Sequence, residues 1–270
     1  MIGLFDSGFG GLHVLRGITA RLPKYDYIYL GDSARAPYGP RSSEEVYSYT
    51  KQGVEFLFDR GAELVVLACN TASSEALRKI QQEYLREVSS KKVLGVLIPF
   101  AEAAAARTKN KRVGVMATEG TVRSGSFPRE ITKVDGGITV FQQACPLLVP
   151  LVEAGKQDSK EADALIRDYT TPLLKENIDT LVLGCTHYGI LEEKIRVCVG
   201  DDIHIVSERD VVAESLAAYL KRHTELEVRE KNGSVRLYCT GEKEHFEKLG
   251  SVFFGKEIQA EQVTLDAQAV

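Results

Sequence analysis

Two thiols stand in matching places along the chain. Cys69 ends the apolar run of "ELVVLACNTAS", residues 63–73, and Cys185 ends that of "DTLVLGCTHYG", residues 179–189. Val65-Val66-Leu67-Ala68-Cys69 lines up with Leu181-Val182-Leu183-Gly184-Cys185, at an offset of 116 positions. A single cysteine after a buried strand is more often a small core hydrophobe than a reactive group. Two of them, each followed by hydrogen-bonding side chains, are harder to dismiss. Asn70 and Thr71 follow the first; Thr186 and His187 follow the second. An imidazole beside a thiol can lower its pKa or relay its proton. If two halves of the chain face each other, the thiols meet one cavity from opposite sides.

"DSGFGGL", residues 6–12, places Gly8, Gly10 and Gly11 between an apolar strand and a helix, as phosphate loops do. The spacing is not G-x-G-x-x-G, because His13 occupies the last position, and no G-K-[ST] follows, so no nucleotide site is expected. Backbone N–H groups there could still hold a carboxylate. Asp6 could take an ammonium group or accept its proton; in the plainer reading Asp6 and Ser7 only cap a tight turn. Asp6-Ser7, Pro37-Tyr38-Gly39, Cys69-Asn70-Thr71 and Cys185-Thr186-His187 all leave the ends of expected strands. In open parallel sheets those ends face the ligand crevice. Cys145, Cys198 and Cys239 lack such company and read as structural. No C-x-x-C pair occurs and no loop pairs a lysine with a phosphate cup, so neither a metal nor pyridoxal phosphate is expected.

These loops need elements to aim them. "IGLF", "YDYIYLG", "LVVLAC", "KVLGVLI", "GITVFQQAC", "TLVLGC" and "IHIVS" read as strands, separated by the amphipathic helices "LHVLRGITARL", "EEVYSYTKQGVEFLFDR", "SSEALRKIQQEYL" and "SKEADALIRDYTTPLLKEN". Continuous β-branched runs between such helices predict an α/β fold with parallel sheets covered on both faces. Ser42 and Glu45 have capping-box spacing, Gly61 sits at a C-terminal cap, and Pro172 predicts a kink. "RVGVMATEGT" then repeats the pattern of "MIGLFDSGFG", with Gly114 following Gly3 by 111 positions. Two similar halves are expected; one long doubly wound sheet is the alternative. "RHTELEVREKNG" reads as a solvated connector, and "VRLYCTG" with the helix after it as a tail returning to the first half.

The bulk numbers bound the function. The chain has 270 residues, a formal net charge of −4 and five singly scattered cysteines. No basic stripe points to nucleic acid or an anionic membrane, and no apolar run approaches the roughly 20 residues of a bilayer span. The scattered thiols suit a reducing cytosol, and "MIGLFDSGFGG" lacks the pattern of a signal or transit peptide.

Together "DSGFGGL", "DSARAPYG", "ACNTAS", "GVMATEGTVRSG", "CPLLVPLVEAG" and "GCTHYG" run in order over nearly the whole chain. They resemble the glutamate racemases of the cofactor-independent aspartate/glutamate racemase family. The resemblance implies two α/β domains related by a pseudo-twofold, with mainly parallel sheets and the active site in the cleft between them. The first would be discontinuous, residues 1–96 plus 209–270, and the second 97–208. It implies that Cys69 and Cys185 interconvert L- and D-glutamate by a two-base thiol/thiolate mechanism without a cofactor. Asp6, Ser7, Tyr38, Gly39, Asn70, Thr71, Thr121, Thr186 and His187 would bind substrate, with weaker claims for Thr118 and Glu153. The implied setting is a bacterial cytosol, where a homodimer supplies D-glutamate for peptidoglycan. The N-terminal extension that goes with activation by a cell-wall precursor is not seen.

A free cysteine with a pKa of about 8.5 is only a few per cent thiolate at neutral pH. Asp6 near Cys69 and His187 near Cys185 are expected to shift that balance. Two departures from the family pattern stand out: "IVSERDVVAE" where an Asp-Ser pair is expected, and Phe127 in "GSFPRE" where tyrosine is commoner. A cysteine hydrolase would leave Cys69 unexplained. An aspartate or hydantoin racemase would share the thiols, and a binding protein would share the two lobes.

Overall fold

The computed structural model describes residues 1–88, 90–226 and 232–265. The first half contributes strands β1 (Ile2–Asp6), β2 (Tyr27–Gly31), β3 (Leu64–Leu67) and β4 (Lys92–Gly95). The second contributes β5 (Arg112–Ala117), β6 (Thr139–Ala144), β7 (Thr180–Gly184) and β8 (His204–Val206), and the C-terminal segment adds β9 (Val235–Cys239) and β10 (Glu261–Gln262). They form two sheets, ordered β10-β9-β2-β1-β3-β4 and β6-β5-β7-β8. Every pairing is parallel. The α/β expectation holds, and one continuous sheet does not form.

Both halves follow the same plan. Each sheet contains its half's strands in the order second, first, third, fourth. Register repeats as well: Gly3 opposes Val65 in the first sheet, and Gly114 opposes Leu181 in the second. Cys69 and Cys185 each follow the third strand of their half. The C-terminal segment returns to the first sheet, where β9 pairs with β2.

Burial explains the strand composition. β1, β2, β3 and β7 are buried at every residue, because helices cover both faces. One apolar cluster joins Leu4, Phe9 and Leu12 of the first half to Val115, Leu181 and Leu216. Helix Glu208–Arg222 packs against both helix Gly11–Arg21 and helix Leu97–Arg107. Phe127 is buried against Phe100, a ring contact that needs no hydroxyl.

The local signals hold at helix Ser43–Asp59. The Ser42 hydroxyl accepts from the Glu45 N–H at 3.3 Å, and the Glu45 carboxylate accepts from the Ser42 N–H at 3.0 Å. Gly61 takes the left-handed conformation, φ 92°, just past that helix.

Two expectations need correction. Strand β4 ends at Gly95, and the rest of "KVLGVLI" belongs to helix Leu97–Arg107. Pro99 explains this: it cannot donate to a strand ladder, but it fits the first turn of a helix. The helix expected over "SSEALRKIQQEYL" begins earlier, at Asn70, breaks at Ala76, and widens to a π-turn over Ile80–Tyr84. Pro172 sits in the last turn of helix Lys160–Leu174. Residues 227–231 of the expected connector lie outside the described residues.

Candidate active site

The carboxyl ends of β1, β3 and β7 and the residue after β5 converge on one narrow cleft. Its lining includes Ser7, Cys69, Asn70 and Thr71 from the first half and Thr118, Glu153, Cys185, Thr186 and His187 from the second. The loop Ala36–Gly39 closes one side. Only about 20 Å³ is open to a water-sized sphere, room for roughly one water molecule. An amino acid needs more, so the walls must part to admit one. A larger cavity of about 390 Å³ lies elsewhere, between Leu77, Leu97 and Leu216, and holds neither thiol.

Each thiol is buried at a strand end. The Cys69 thiol donates to Ser7 Oγ at 3.4 Å and accepts from the Ala72 N–H at 3.4 Å. Cys185 Sγ lies 3.9 Å from His187 Nδ1, and His187 Nε2 lies 3.0 Å from Glu153 Oε1. Burial pushes the Cys69 thiol up to about 11, and the Asp6 charge adds to it; Ser7 and Ala72 oppose the rise. Burial also raises Cys185 well above the ordinary range, opposed by the His187 N–H and reinforced by charge on Cys69, Glu208 and Asp6.

This corrects the expectation for Asp6, whose negative charge opposes thiolate formation at both sulfurs. Asp6 is itself fully buried, and burial raises its own pKa, countered in part by His187 and the Gly8 and Gly11 N–H groups. Its Oδ2 accepts from the Gly8 N–H at 2.9 Å, and its Oδ1 accepts from the Thr186 hydroxyl at 3.4 Å. A buried carboxyl beside a positively charged guest ionises more readily, so this group is suited to an ammonium ion.

Asn70 carries the clearest sign of a ligand. Its side chain is buried, and neither the amide nitrogen nor the oxygen has a hydrogen-bond partner. Buried polar groups left unpaired cost stability, so such an amide is suited to a guest that completes it. Beside it Thr71, Thr118 and Thr121 form a hydroxyl cluster across the two halves, with Thr71 Oγ1 and Thr118 Oγ1 2.9 Å apart.

The glycine loop now has a physical reason. A Cβ on Gly10 would lie 2.3 Å from Thr186 Oγ1 and 2.9 Å from His187 Nδ1. Glycine there lets the start of helix Gly11–Arg21 approach the loop carrying Cys185.

A family profile described as Asp/Glu/Hydantoin racemase matches residues 2–216. The chain belongs to this racemase family. It is similar to a glutamate racemase of Geobacter metallireducens, 40% identical and covering 99% of this chain and 97% of the relative. Among solved structures, a glutamate racemase isoform of Bacillus anthracis superposes with a TM-score of 0.91 at 37% identity, covering 98% of this chain and 97% of that one. A Francisella tularensis glutamate racemase in complex with D-glutamate gives a TM-score of 0.88 at 30% identity, covering 98% of each chain.

Within this racemase fold, most residues expected from sequence meet at the cleft. Ser7, Tyr38, Gly39, Asn70, Thr71, Thr186 and His187 line it with the two cysteines, as do Thr118 and Glu153, which had weaker claims. Asp6 and Thr121 lie behind it, touching Thr186 and Thr71. Tyr38 is also anchored from behind the cleft. Its hydroxyl donates to Asp32, which also accepts from Arg35 Nε and Thr240 Oγ1, both at 2.7 Å. That hydroxyl is committed to holding the loop against the C-terminal segment. Sequence reasoning passed over Ala36 and Val149, whose apolar types carry no local signal, and Glu208, whose charge acts on Cys185 from behind the wall.

Proposed function

We propose that this family member interconverts L- and D-glutamate with Cys69 and Cys185 as the two proton carriers. The single observation that carries the reading is the pair of buried thiols, one from each half, at equivalent strand ends lining one cleft. Racemisation removes the α-proton from one face and returns a proton to the other. A base on each face does this without turning the substrate over. One thiolate takes the proton and becomes a thiol; the opposite thiol gives its proton and becomes a thiolate.

The surroundings divide the remaining tasks. Both resting thiols hold their protons at neutral pH, so a thiolate must form as substrate binds. The substrate's ammonium charge lowers that cost, with Asp6 and the His187–Glu153 pair accepting or redistributing the proton. The Asn70 amide, the Thr71 and Thr186 hydroxyls and backbone N–H groups of the loops hold the α-carboxylate, where charge grows as the α-proton leaves. Closure of the narrow cleft excludes water from the carbanion.

The identity of the relatives supports glutamate as substrate, and the use proposed for the D-glutamate is peptidoglycan. Among the described residues no helix is long and apolar enough to cross a membrane, which suits the proposed cytoplasmic location. We propose a homodimer as the working form, to be tested by sedimentation. We also propose a working division into 1–96 plus 209–270 and 97–208, supported by β9 and β10 joining the first sheet.

Isotope tracing tests the two-base reading. L-Glutamate is incubated with the protein in heavy water, with chelator and without added cofactor, and the reaction is stopped early. The expected D-glutamate is almost fully deuterated at Cα, since Cys69 delivers a solvent-derived deuteron, while remaining L-glutamate keeps its protium. Substantial protium in the earliest product would mean one base serving both faces. Dependence on added pyridoxal phosphate would overturn the reading as a whole.

A further inference from the structure

Glu208, in the segment "IVSERDVVAE", stands in an unusual position. Glu208 opens helix Glu208–Arg222 and is wholly buried; its own backbone N–H approaches the carboxyl, and no other described residue hydrogen-bonds to either oxygen. Its Oε1 lies 3.3 Å from the point that a Cβ on Gly189 would occupy, and the His13 ring reaches the same point at 3.3 Å. Gly189 belongs to the loop that carries Cys185, Thr186 and His187. Glu208 is therefore behind the wall of the cleft, separated from the thiol by that loop.

The described groups whose charges or rings face Glu208 come from four elements. They are Asp6 of β1, His13 of helix Gly11–Arg21, Cys185 after β7, and Glu192 of helix Glu192–Val199. Burial pushes its carboxyl up to about 8, opposed by its own backbone N–H and reinforced by the like charges of Glu192 and Asp6. A carboxylate formed there would in turn raise the Cys185 thiol. Like charges in a water-poor interior repel more strongly than at a surface.

We propose that Glu208 is a positioning residue for the chemistry at Cys185: it is uncharged in the working enzyme, and when it ionises it holds Cys185 in the thiol form. The proposal rests on the reading of Cys185 as a proton carrier. Its consequence is a brake on the alkaline side. Thiolate at Cys185 lags behind rising pH, because a second negative charge forms nearby in the same range.

The test is the rate at which iodoacetamide alkylates Cys185 between pH 6 and pH 9.5, read by mass spectrometry of the Cys185 peptide. The parent is compared with Glu208→Gln, which keeps the shape and cannot ionise. The expected ratio of variant to parent rate is about one at pH 6 and rises to about threefold or more at pH 9.5. A ratio that is the same at every pH, or that falls, overturns the proposal, since a merely structural role shifts all pH values alike. Glu208→Ala is the second neutral variant and decides the matter by the same ratio if the glutamine variant does not fold. Racemisation of L-glutamate by the parent, followed by circular dichroism, is scored separately. An inactive parent overturns the proton-carrier reading, whereas a flat alkylation ratio in an active parent overturns the role of Glu208 alone.

Discussion

Asn70 shows how a binding group reveals itself through what it lacks. A buried amide with both ends unpaired destabilises the empty protein, and a carboxylate or ammonium guest repays that loss on binding. Asn70→Ala should therefore lower kcat/KM for glutamate by about tenfold or more, while Tm holds or rises. Calorimetry and circular dichroism on one preparation check both halves of this expectation; a large drop in Tm would mean the amide serves the fold. The thiols differ in the same way. Cys145 donates to the Gln143 carbonyl at 3.4 Å and Cys239 ends strand β9, so neither meets the cleft. Cys145→Ala and Cys239→Ala should keep turnover near the parent's, whereas Cys69→Ala or Cys185→Ala should each reduce it by about a thousandfold or more. Substantial turnover in either of the latter would end the two-base reading.

At the scale of elements, close approach and end-capping make different demands. Gly10 lets one half's helix start touch the other half's catalytic loop, and an added methyl would meet Thr186 at 2.3 Å. Gly10→Ala should reduce racemisation sharply through displacement of Thr186 and His187, with the far-ultraviolet spectrum unchanged. The Ser42–Glu45 box only closes the start of helix Ser43–Asp59. Ser42→Ala should cost about 1 kcal/mol in denaturant unfolding and leave kcat/KM as it was. Were the two outcomes reversed, the division between positioning and stabilising elements would be wrong.

Over the whole molecule, the two halves repeat one strand order yet share one apolar cluster. Sharing of that kind couples them, so thermal unfolding should be a single calorimetric transition; two resolved transitions would contradict it. Stability should also fall with pH in a specific window. The Glu208 carboxyl binds its proton more tightly in the folded chain, with its pKa raised from 4.5 to about 8. Its contribution is full below 4.5 and is lost as pH rises through about 8. Loss of a few kcal/mol across that window is expected in urea titrations of the parent, and Glu208→Gln should flatten it. Equal slopes in parent and variant would show that the carboxyl is not buried as described.

The alternation of strand and helix, the internal repeat and the two cysteine motifs were all legible in the sequence. Periodicity, caps and strand-end loops depend on residues close along the chain. Ser42 with Glu45, Gly61, and the matched runs before Cys69 and Cys185 are of this kind. What those residues do to one another required the tertiary structure. Asp6 looked like a group that would promote thiolate, yet its charge lies where it opposes both sulfurs. Tyr38 lines the cleft, but that its hydroxyl donates to Asp32 is visible only in the fold. Glu208 carried no local signal, and only three-dimensional packing shows it buried at the start of its helix, with its charge acting on Cys185. Charge and burial act through space, and residues far apart in the chain become neighbours only when the two sheets come together.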